Sequence, residues 1–338
     1  MESAHPIDGS GCILACVINW NGWRDTVVCL QSLLQLQPPR FQVVVCDNGS
    51  GDGSLDQLCD WLQKQSGFVR RAGVADVDGA ISFDGPFACG PSAVHLLPLA
   101  ANAGYAGAIN RSIAWGRRHL GGRDFWLLNN DIWAEPNALA HLVQATRAVP
   151  DIGLCGSVLL DWGVPQSVQA IGGQYSRALA VGRHLTALPK SAQAEQGVFF
   201  GIDYPVGASL FVTHEYLDAV GLMSEAYFLY YEEMDWAERG RRCGFRPAVA
   251  LQSRVQHREG ASTGSHGGVR RKSMLSEHYG VVNRLRITRR FWPACLPLVW
   301  LSLWFVVVER ALHGEWGRAL LVLRRLFAPW RWMRDEVA

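Results

Sequence analysis

From residue 12 onward the apolar positions fall into two alternating patterns. The run "CILACVINW" (12–20) is short, continuous and apolar, and ends in polar "NWNG"; "FQVVVCDNGS" (41–50) repeats that form. Runs of this length and make-up predict buried strands. Between them, "DTVVCLQSLLQLQ" (25–37) places Val27, Val28, Leu30, Leu33 and Leu34 at helical spacing, and Pro38 and Pro39 stop it. A second helix is predicted over "GSLDQLCDWLQKQ" (53–65), capped by Ser54 or Asp52. The order β-α-β-α, with polar clusters at the carboxyl ends of both strands, is that of an open parallel α/β sheet, where ligands bind beyond those ends.

Residues 66–92, rich in Gly, Asp and Ala, break this rhythm and read as an insertion or long loop. Strand character returns in "AVHLLPLA" (93–100), followed by a Gly-bearing turn into a helix, "NAGYAGAINRSIAWGRR" (102–118). "DFWLLNND" (124–131) is a further strand ending in polar residues, and "AEPNALAHLVQATRAV" (134–149) a helix with Pro136 in its first turn. The alternation then weakens: short strands mixed with Gly occupy 151–200, and 204–221 read as a strand into a short helix. Internal repeats are absent from the sequence.

Composition changes this picture at one end. With 338 residues, 49% hydrophobic and 18% charged, the chain is long enough for one large domain or two smaller ones and excludes disorder. The net charge of +2 conceals a basic, Trp-rich C-terminal part, in which the arginines from Arg284 to Arg334 face only Glu309 and Glu315. That bias points to anionic lipid or another polyanion. The apolar run "FWPACLPLVWLSLWFVVV" (291–308) grazes the lower limit for a spanning helix, roughly 17 residues. Pro293 and Pro297 shorten it, and arginines on both sides give no orientation. A helix lying in the membrane interface, a span, and a buried core helix all fit, the first best. The nine cysteines are scattered without a C-x-x-C, which excludes a zinc pattern or a disulfide framework and fits a reducing compartment. The N-terminus lacks the basic and apolar regions of a signal peptide.

Five stretches carry candidate chemistry. "DNGSGDGS" (47–54) offers a carboxylate at a strand end that can read a nucleoside, or simply a β-to-α turn. "NAGYAGAIN" departs from G-x-G-x-x-G, yet Gly104 and Gly107 permit close backbone approach, and a helix N-terminus favours phosphate. In "LLNND" (127–131), Asp131 with Asn129 and Asn130 is a thin but sufficient set for a hard divalent ion shared with phosphates. In "FLYYEEMDWAERGRRCGF" (228–245), a helix would put Glu232 and Asp235 on one face and turn Glu233 away, with Arg239 within reach of both. Such a run is a solvated face by default, but the preceding aromatics suggest a desolvated wall where a carboxylate can act as general base. His257 in "QHREGAST" (256–263) can close a phosphate or metal site, or be structural.

Taken in order, these stretches resemble the inverting family-2 glycosyltransferases of the GT-A fold, in their bacterial rhamnosyltransferase-like branch. The likeness rests on "VINWNG", "CDNGSGDGS", "NAGYAGAIN", "LLNND", "VGASLFV", "GLMSEAYFLYYEEMDWAERGRRCGF" and "HREGAST", and runs from about residue 12 to 290. It implies an α/β fold with a mixed, mainly parallel sheet flanked by helices. The GT-A domain would be 1–290: a nucleotide-sugar half to about 150, and an acceptor and catalytic half from 151 to 290. The tail 291–338 would associate with the membrane. By the same resemblance Asp47 holds the base of the nucleotide, with Asn19, Asn48 and Ser50 on the same edge. Asn102, Gly104, Asn110 and Asn130 shape the diphosphate side. Asp131 ligates Mg2+ or Mn2+ with His257 nearby. Glu233 is the base that deprotonates the acceptor hydroxyl, Glu232 its neighbour, and Asp235 and Arg239 support the loop and the diphosphate side.

Three departures stand out. The metal motif is N-N-D, the base position holds Glu in place of Asp, and 66–92 is long. The implied reaction transfers a sugar, dTDP-rhamnose being the favoured donor and a UDP-hexose the second, to a glycan or lipid-linked saccharide hydroxyl, with inversion. The implied location is the cytoplasmic face of the inner membrane, held by an anionic surface; no nucleic-acid partner is expected. Two other readings stay open: a sugar-nucleotide nucleotidyltransferase, and an inactive sugar-nucleotide-binding or scaffold protein.

Overall fold

A computed structural model describes residues 12–37, 39–71, 79–85, 90–189, 194–258 and 273–327. The two leading strands and helices form as the pattern predicts: β1 (Cys12–Asn19), α1 (Trp23–Leu33), β2 (Phe41–Asp47) and α2 (Ser54–Lys64). The N-cap of α2 is neither Ser54 nor Asp52 but Gly53, in left-handed conformation and without a side-chain cap; Asp52, one residue earlier, accepts from the Ser54 backbone N–H at 3.0 Å. The stretch 66–92, expected as a loop, also contributes β3 (Val69–Arg70) and β4 (Ile81–Asp84), an antiparallel pair added at the sheet edge beside β5 (Ala93–Pro98). Alternation fails to reveal them because the strands are only two and four residues long, too short for a pattern to register; residues 72–78 and 86–89 lie outside the described set.

Next come α3 (Gly104–Leu120), β6 (Gly122–Asn129), β7 (Ile132–Ala134), α4 (Ala138–Ala148), β8 (Ile152–Asp161), β9 (Val164–Ala170), β10 (Gly173–Ser176), β11 (Val181–His184), β12 (Val198–Phe199), β13 (Ser209–Val212), α5 (His214–Val220), α6 (Glu232–Arg242), β14 (Arg246–His257), α7 (Met274–Phe291), α8 (Leu296–Leu312) and α9 (Trp316–Phe327). The main sheet runs β12-β14-β8-β13-β6-β1-β2-β5-β4-β3. Its centre, β6-β1-β2-β5, is parallel, so Asn19, Asp47, Pro98 and Asn129 reach the same edge. β13 runs antiparallel to β6 and delivers its first residue to that edge as well, pairing Ser209 with Leu128.

Residues on one face of the central strands (Ile13, Ala15, Val17, Val43, Val45) pack with α1, α2 and α4. Those on the other (Leu14, Cys16, Val44, Cys46) pack with α3, α5 and α6. This double burial explains why the strands read as continuous apolar runs. The cysteines within them behave as small hydrophobes, and burial pushes the Cys46 thiol up to about 12.

At the C-terminal end, α7, α8 and α9 share one apolar cluster built on Val281, Leu285, Val299, Leu303, Val322 and Leu326. A single tight turn over Pro293–Cys295 separates α7 from α8, as the prolines require. Buried Arg310 of α8 pairs with buried Glu277 of α7 at 3.2 Å. The outward face of α8 is apolar too: Leu298, Leu301, Phe305, Val308 and Leu312 are exposed at i, i+3, i+7, i+10 and i+14. The segment Pro293–Leu312 is long and apolar enough to cross a membrane by length and composition. Residues 328–338 lie outside the described set.

Candidate functional site

Asn19 ends β1 with its side chain fully enclosed. Its Nδ2 donates to Asp47 Oδ1 (2.9 Å) and Ser50 Oγ (3.2 Å), while its Oδ1 accepts from Thr26 Oγ1 (2.8 Å). Ser50 Oγ donates to the same Asp47 oxygen and accepts from the Asn21 backbone N–H (2.9 Å). Asn130 joins from the β6–β7 turn, its Nδ2 donating to Gly22 O and Thr26 Oγ1, both at 3.1 Å. Asp47 therefore presents a carboxylate held from behind by neutral donors at the end of β2.

One residue on, Asn48 ties the β2 end to the turn before α3. Its Nδ2 donates to Asn102 Oδ1 (3.1 Å) and Gly104 O (3.2 Å), and its Oδ1 accepts from Ala103 N (2.9 Å). Gly49, at φ +70°, lies so close to Ala101 that an added Cβ would come within 2.6 Å of its carbonyl carbon. Gly104 has φ +73° and meets the Phe228 carbonyl in the same way. Asn110 lies inside α3, away from the turn that precedes it: its amide is engaged at both ends with Met223 and donates to Glu225, fixing the loop that precedes α6.

Asp131 was expected to end its strand; β6 stops at Asn129, and Asp131 occupies the turn into β7. β14 pairs with β7, which sets its last residue, His257, opposite Ile132. His257 Nε2 then faces Asp131 Oδ1 at 3.4 Å and Asn129 Nδ2 at 3.4 Å. The other ring nitrogen, Nδ1, lies 2.7 Å from Gln169 Oε1. That amide cannot be reversed without loss, because Gln169 Nε2 donates to the His257 backbone oxygen (3.3 Å). Nδ1 is thus placed to donate to Gln169 Oε1, which turns Nε2 toward the Asp131 carboxylate. A carboxylate and an imidazole nitrogen this close, with the ring oriented by a second partner, are of the types that can share a cation. Sequence reasoning passed over Gln169 because β9 lies outside every motif.

The acidic stretch becomes the first turn of α6. Tyr230 and Tyr231, at φ 69° and 76°, precede it in left-handed conformation, and Glu232 is enclosed while Glu233 is half-buried. Glu233 Oε1 accepts from the Gly207 backbone N–H at 3.3 Å, and Tyr105 Oη donates to the Gly207 carbonyl at 2.7 Å. Burial raises the Glu232 carboxyl well above its ordinary value, and its neighbour Glu233 raises it further. Burial also raises Glu233, offset in part by its own backbone N–H and that of Gly207. The expected reach of Arg239 is met for Asp235 alone: Nε lies 2.8 Å from Asp235 Oδ1. Its other nitrogens donate to Val220 O (2.8 Å) and Leu222 O (2.7 Å), so this guanidinium braces the loop ahead of α6. Arg290 of α7 pairs with the other Asp235 oxygen at 2.8 Å.

These groups form one continuous patch, joined by chain adjacency: Asn130 to Asp131, Asp47 to Asn48, Gly104 to Tyr105. Another cluster with ligand-type atoms close together, Asp124, His214 and Glu215, sits elsewhere. Asp124 is five residues before the carboxyl end of β6, roughly 16 Å away along a strand. Its carboxylate accepts from the His214 backbone N–H (2.9 Å) at the start of α5, and the Arg123 guanidinium already stands beside His214. That cluster is accounted for as a helix-end contact.

No family model matches the chain. Over 188 residues it is 28% identical to an N-acetylglucosaminyl-diphospho-decaprenol L-rhamnosyltransferase of Mycobacterium tuberculosis, covering 51% of this chain and 61% of that protein. Over 179 residues it is 23% identical to the low-salt glycan biosynthesis hexosyltransferase Agl10 of Haloferax volcanii, covering 52% and 56%. The match spans about three fifths of the length of these relatives. Among solved structures, GalNAc-T7 with UDP, GalNAc and Mn2+ superimposes with a TM-score of 0.58 at 14% identity, over 85% of this chain and 49% of that one. The mannosyltransferase PcManGT of Pyrobaculum calidifontis, with GDP-Man and Mn2+, gives 0.54 at 13% identity, over 94% and 87%. By fold the chain is a GT-A protein, and over about half its length its sequence is similar to a rhamnosyltransferase and a hexosyltransferase at modest identity.

Proposed function

We propose that the protein transfers a sugar, L-rhamnose from dTDP-rhamnose, to a hydroxyl of a lipid-linked saccharide. The observation that carries this reading is the continuous patch at the carboxyl ends of β1, β2 and β6, where an anchored carboxylate, a helix N-terminus and a buried acid pair converge. Asp47 and Asn19 would bind the nucleoside, and the turn Asn102–Gly104 would face the diphosphate. The relatives named above act on decaprenol-linked N-acetylglucosamine in one case and in glycan biosynthesis in the other.

Asp131 and His257 would hold a divalent ion, Mn2+ or Mg2+, consistent with an imidazole nitrogen oriented by Gln169 and set 3.4 Å from a carboxylate oxygen. Bound there, the ion would supply a Lewis acid for the charge that develops on the leaving diphosphate. Glu233 would accept the proton of the acceptor hydroxyl. A base whose pKa is raised toward the working pH is suited to that role. Glu232, enclosed and next to Glu233, would stay protonated and keep the pair from carrying two charges. Attack from the side opposite the leaving group would invert the anomeric centre. The outward stripe of α8, flanked by arginines, would rest on an anionic membrane surface. The buried Arg310–Glu277 pair favours a helix lying on the membrane over one crossing it, since crossing would strip α8 from α7.

Screening dTDP-rhamnose, UDP-hexoses and GDP-mannose with Mn2+ for transfer to N-acetylglucosaminyl-diphospho-polyprenol tests the reading. Rhamnosyl transfer is expected; turnover of another donor would replace the sugar, and nucleotidyl transfer would replace the reaction.

A further inference from the structure

We infer that Asn283, on α7, is a positioning residue that holds the loop Leu229–Tyr231 in the shape that presents the acid pair to the site. The inference rests on the assignment of Glu233 as base. Two consecutive non-glycine residues in left-handed conformation, Tyr230 and Tyr231, immediately precede Glu232. Backbone of this kind persists only where its surroundings enforce it.

Asn283 is 0% exposed, and its one amide nitrogen donates to both Leu229 O (2.8 Å) and Tyr230 O (3.0 Å). Both amide hydrogens are thereby used. Its Oδ1 accepts from Arg286 Nη1, which also donates to Ala226 O at 2.7 Å, so the amide has one orientation. The same helix reaches Tyr230 Oη through Ser276 Oγ (3.2 Å) and Asp235 through Arg290 (2.8 Å). Tyr231 Oη donates to Ala180 O at 2.9 Å. The loop and the first turn of α6 are gripped along their length, and Asn283 holds the strained bend itself. Substrate contact is not part of this role: the residue acts on the direction of Glu232 and Glu233 through the backbone that carries them.

The experiment uses the full chain with Asn283→Ala and Asn283→Asp, the latter placing an acceptor against two carbonyls. Hydrogen exchange of the segment 229–235 should rise at least tenfold in both variants, while the amides of β1 and β2 stay protected. For transfer from dTDP-rhamnose, kcat should fall tenfold or more with donor KM changed less than twofold. Adding Tyr230→Gly to Asn283→Ala should restore part of the lost kcat, because glycine takes a left-handed φ without strain. Unchanged exchange at 229–235 overturns the clamp. So does a parallel loss of protection in β1 and β2 with kcat and KM falling together, which marks a general role in folding. Should Asn283→Ala fail to fold, Asn283→Ser, which keeps one donor, must show the same split. Glu233→Gln retaining full transfer removes Glu233 as base, an outcome separate from any change in exchange.

Discussion

The α-carbon of Gly104 abuts the backbone of Phe228, so that a methyl group added to it would sit 2.6 Å from the Phe228 oxygen. The turn facing the proposed diphosphate thereby touches the loop that carries the acid pair. Tyr105 N–H seals the contact by donating to Phe228 O at 3.2 Å.

Gly104→Ala should therefore destabilise the protein by about 2 kcal/mol, combining positive φ with the clash. It should also depress transfer more than donor binding, because the displaced partner is the acid loop. Denaturant melts and steady-state kinetics check both parts, and a wild-type kcat would refute the second.

Glu233→Gln should lower kcat by at least about 100-fold, the usual contribution of a general base. Donor binding, followed as thermal stabilisation by dTDP-rhamnose and Mn2+, should persist. Because burial raises the Glu233 carboxyl, the acid limb of the kcat profile should fall at higher pH than for an ordinary carboxylate. Greater loss in Glu232→Gln than in Glu233→Gln would exchange the two roles.

Glu232→Gln should melt at higher temperature than the parent at pH 7. The carboxyl is raised in the folded state by burial and by Glu233, so folding favours its protonated form. The stabilisation from that preference is complete below the unfolded pKa and declines as pH climbs through the folded one. A neutral amide escapes the decline. The gain should shrink as pH is lowered toward 4, and a pH-independent difference in melting temperature would count against this account.

Gln169→Leu should weaken Mn2+ binding roughly 10- to 100-fold, as loss of the partner that orients a ligating imidazole commonly does. Titration of the apo protein with Mn2+, read by electron paramagnetic resonance, measures this directly. Imidazole nitrogen shifts should show that His257 loses its fixed Nδ1–H tautomer; an unchanged tautomer would dismiss the role of Gln169.

Paired substitutions Leu301→Glu and Phe305→Glu should abolish sedimentation with phosphatidylglycerol vesicles and leave the melting temperature within about 2 °C, since both side chains point outward. Retained sedimentation would move the docking surface elsewhere.

The halves of the molecule differed in how much their sequence disclosed. The parallel core was legible because β1 and β2 are covered on both faces and so read as unbroken apolar runs. Asp47, Gly104 and Asp131 could be picked out because each lies where such a run gives way to polar residues. Gln169, Gly207, Tyr105 and Asn283 could not. They act through backbone groups or a ring nitrogen of residues far along the chain, and pairing registers such as His257 against Ile132 are invisible to local spacing. β3 and β4 were missed because two and four residues are too few to show a period, and β3, at the sheet edge, is exposed at both positions.

Arg310 and Glu277 are both almost wholly enclosed, and separating such a pair by removing one partner costs about 3–5 kcal/mol. The contact rivets α8 to the helix that carries Asn283. With the α8 stripe resting on lipid, as proposed, the acid pair would stand at one fixed height above the headgroups. The protein would then act as a ruler: an acceptor hydroxyl would be chosen by how far its stalk lifts it from the bilayer, before any contact with its sugar. Acceptors with graded spacers should give a rate maximum at one length, and a flat response would rule the ruler out.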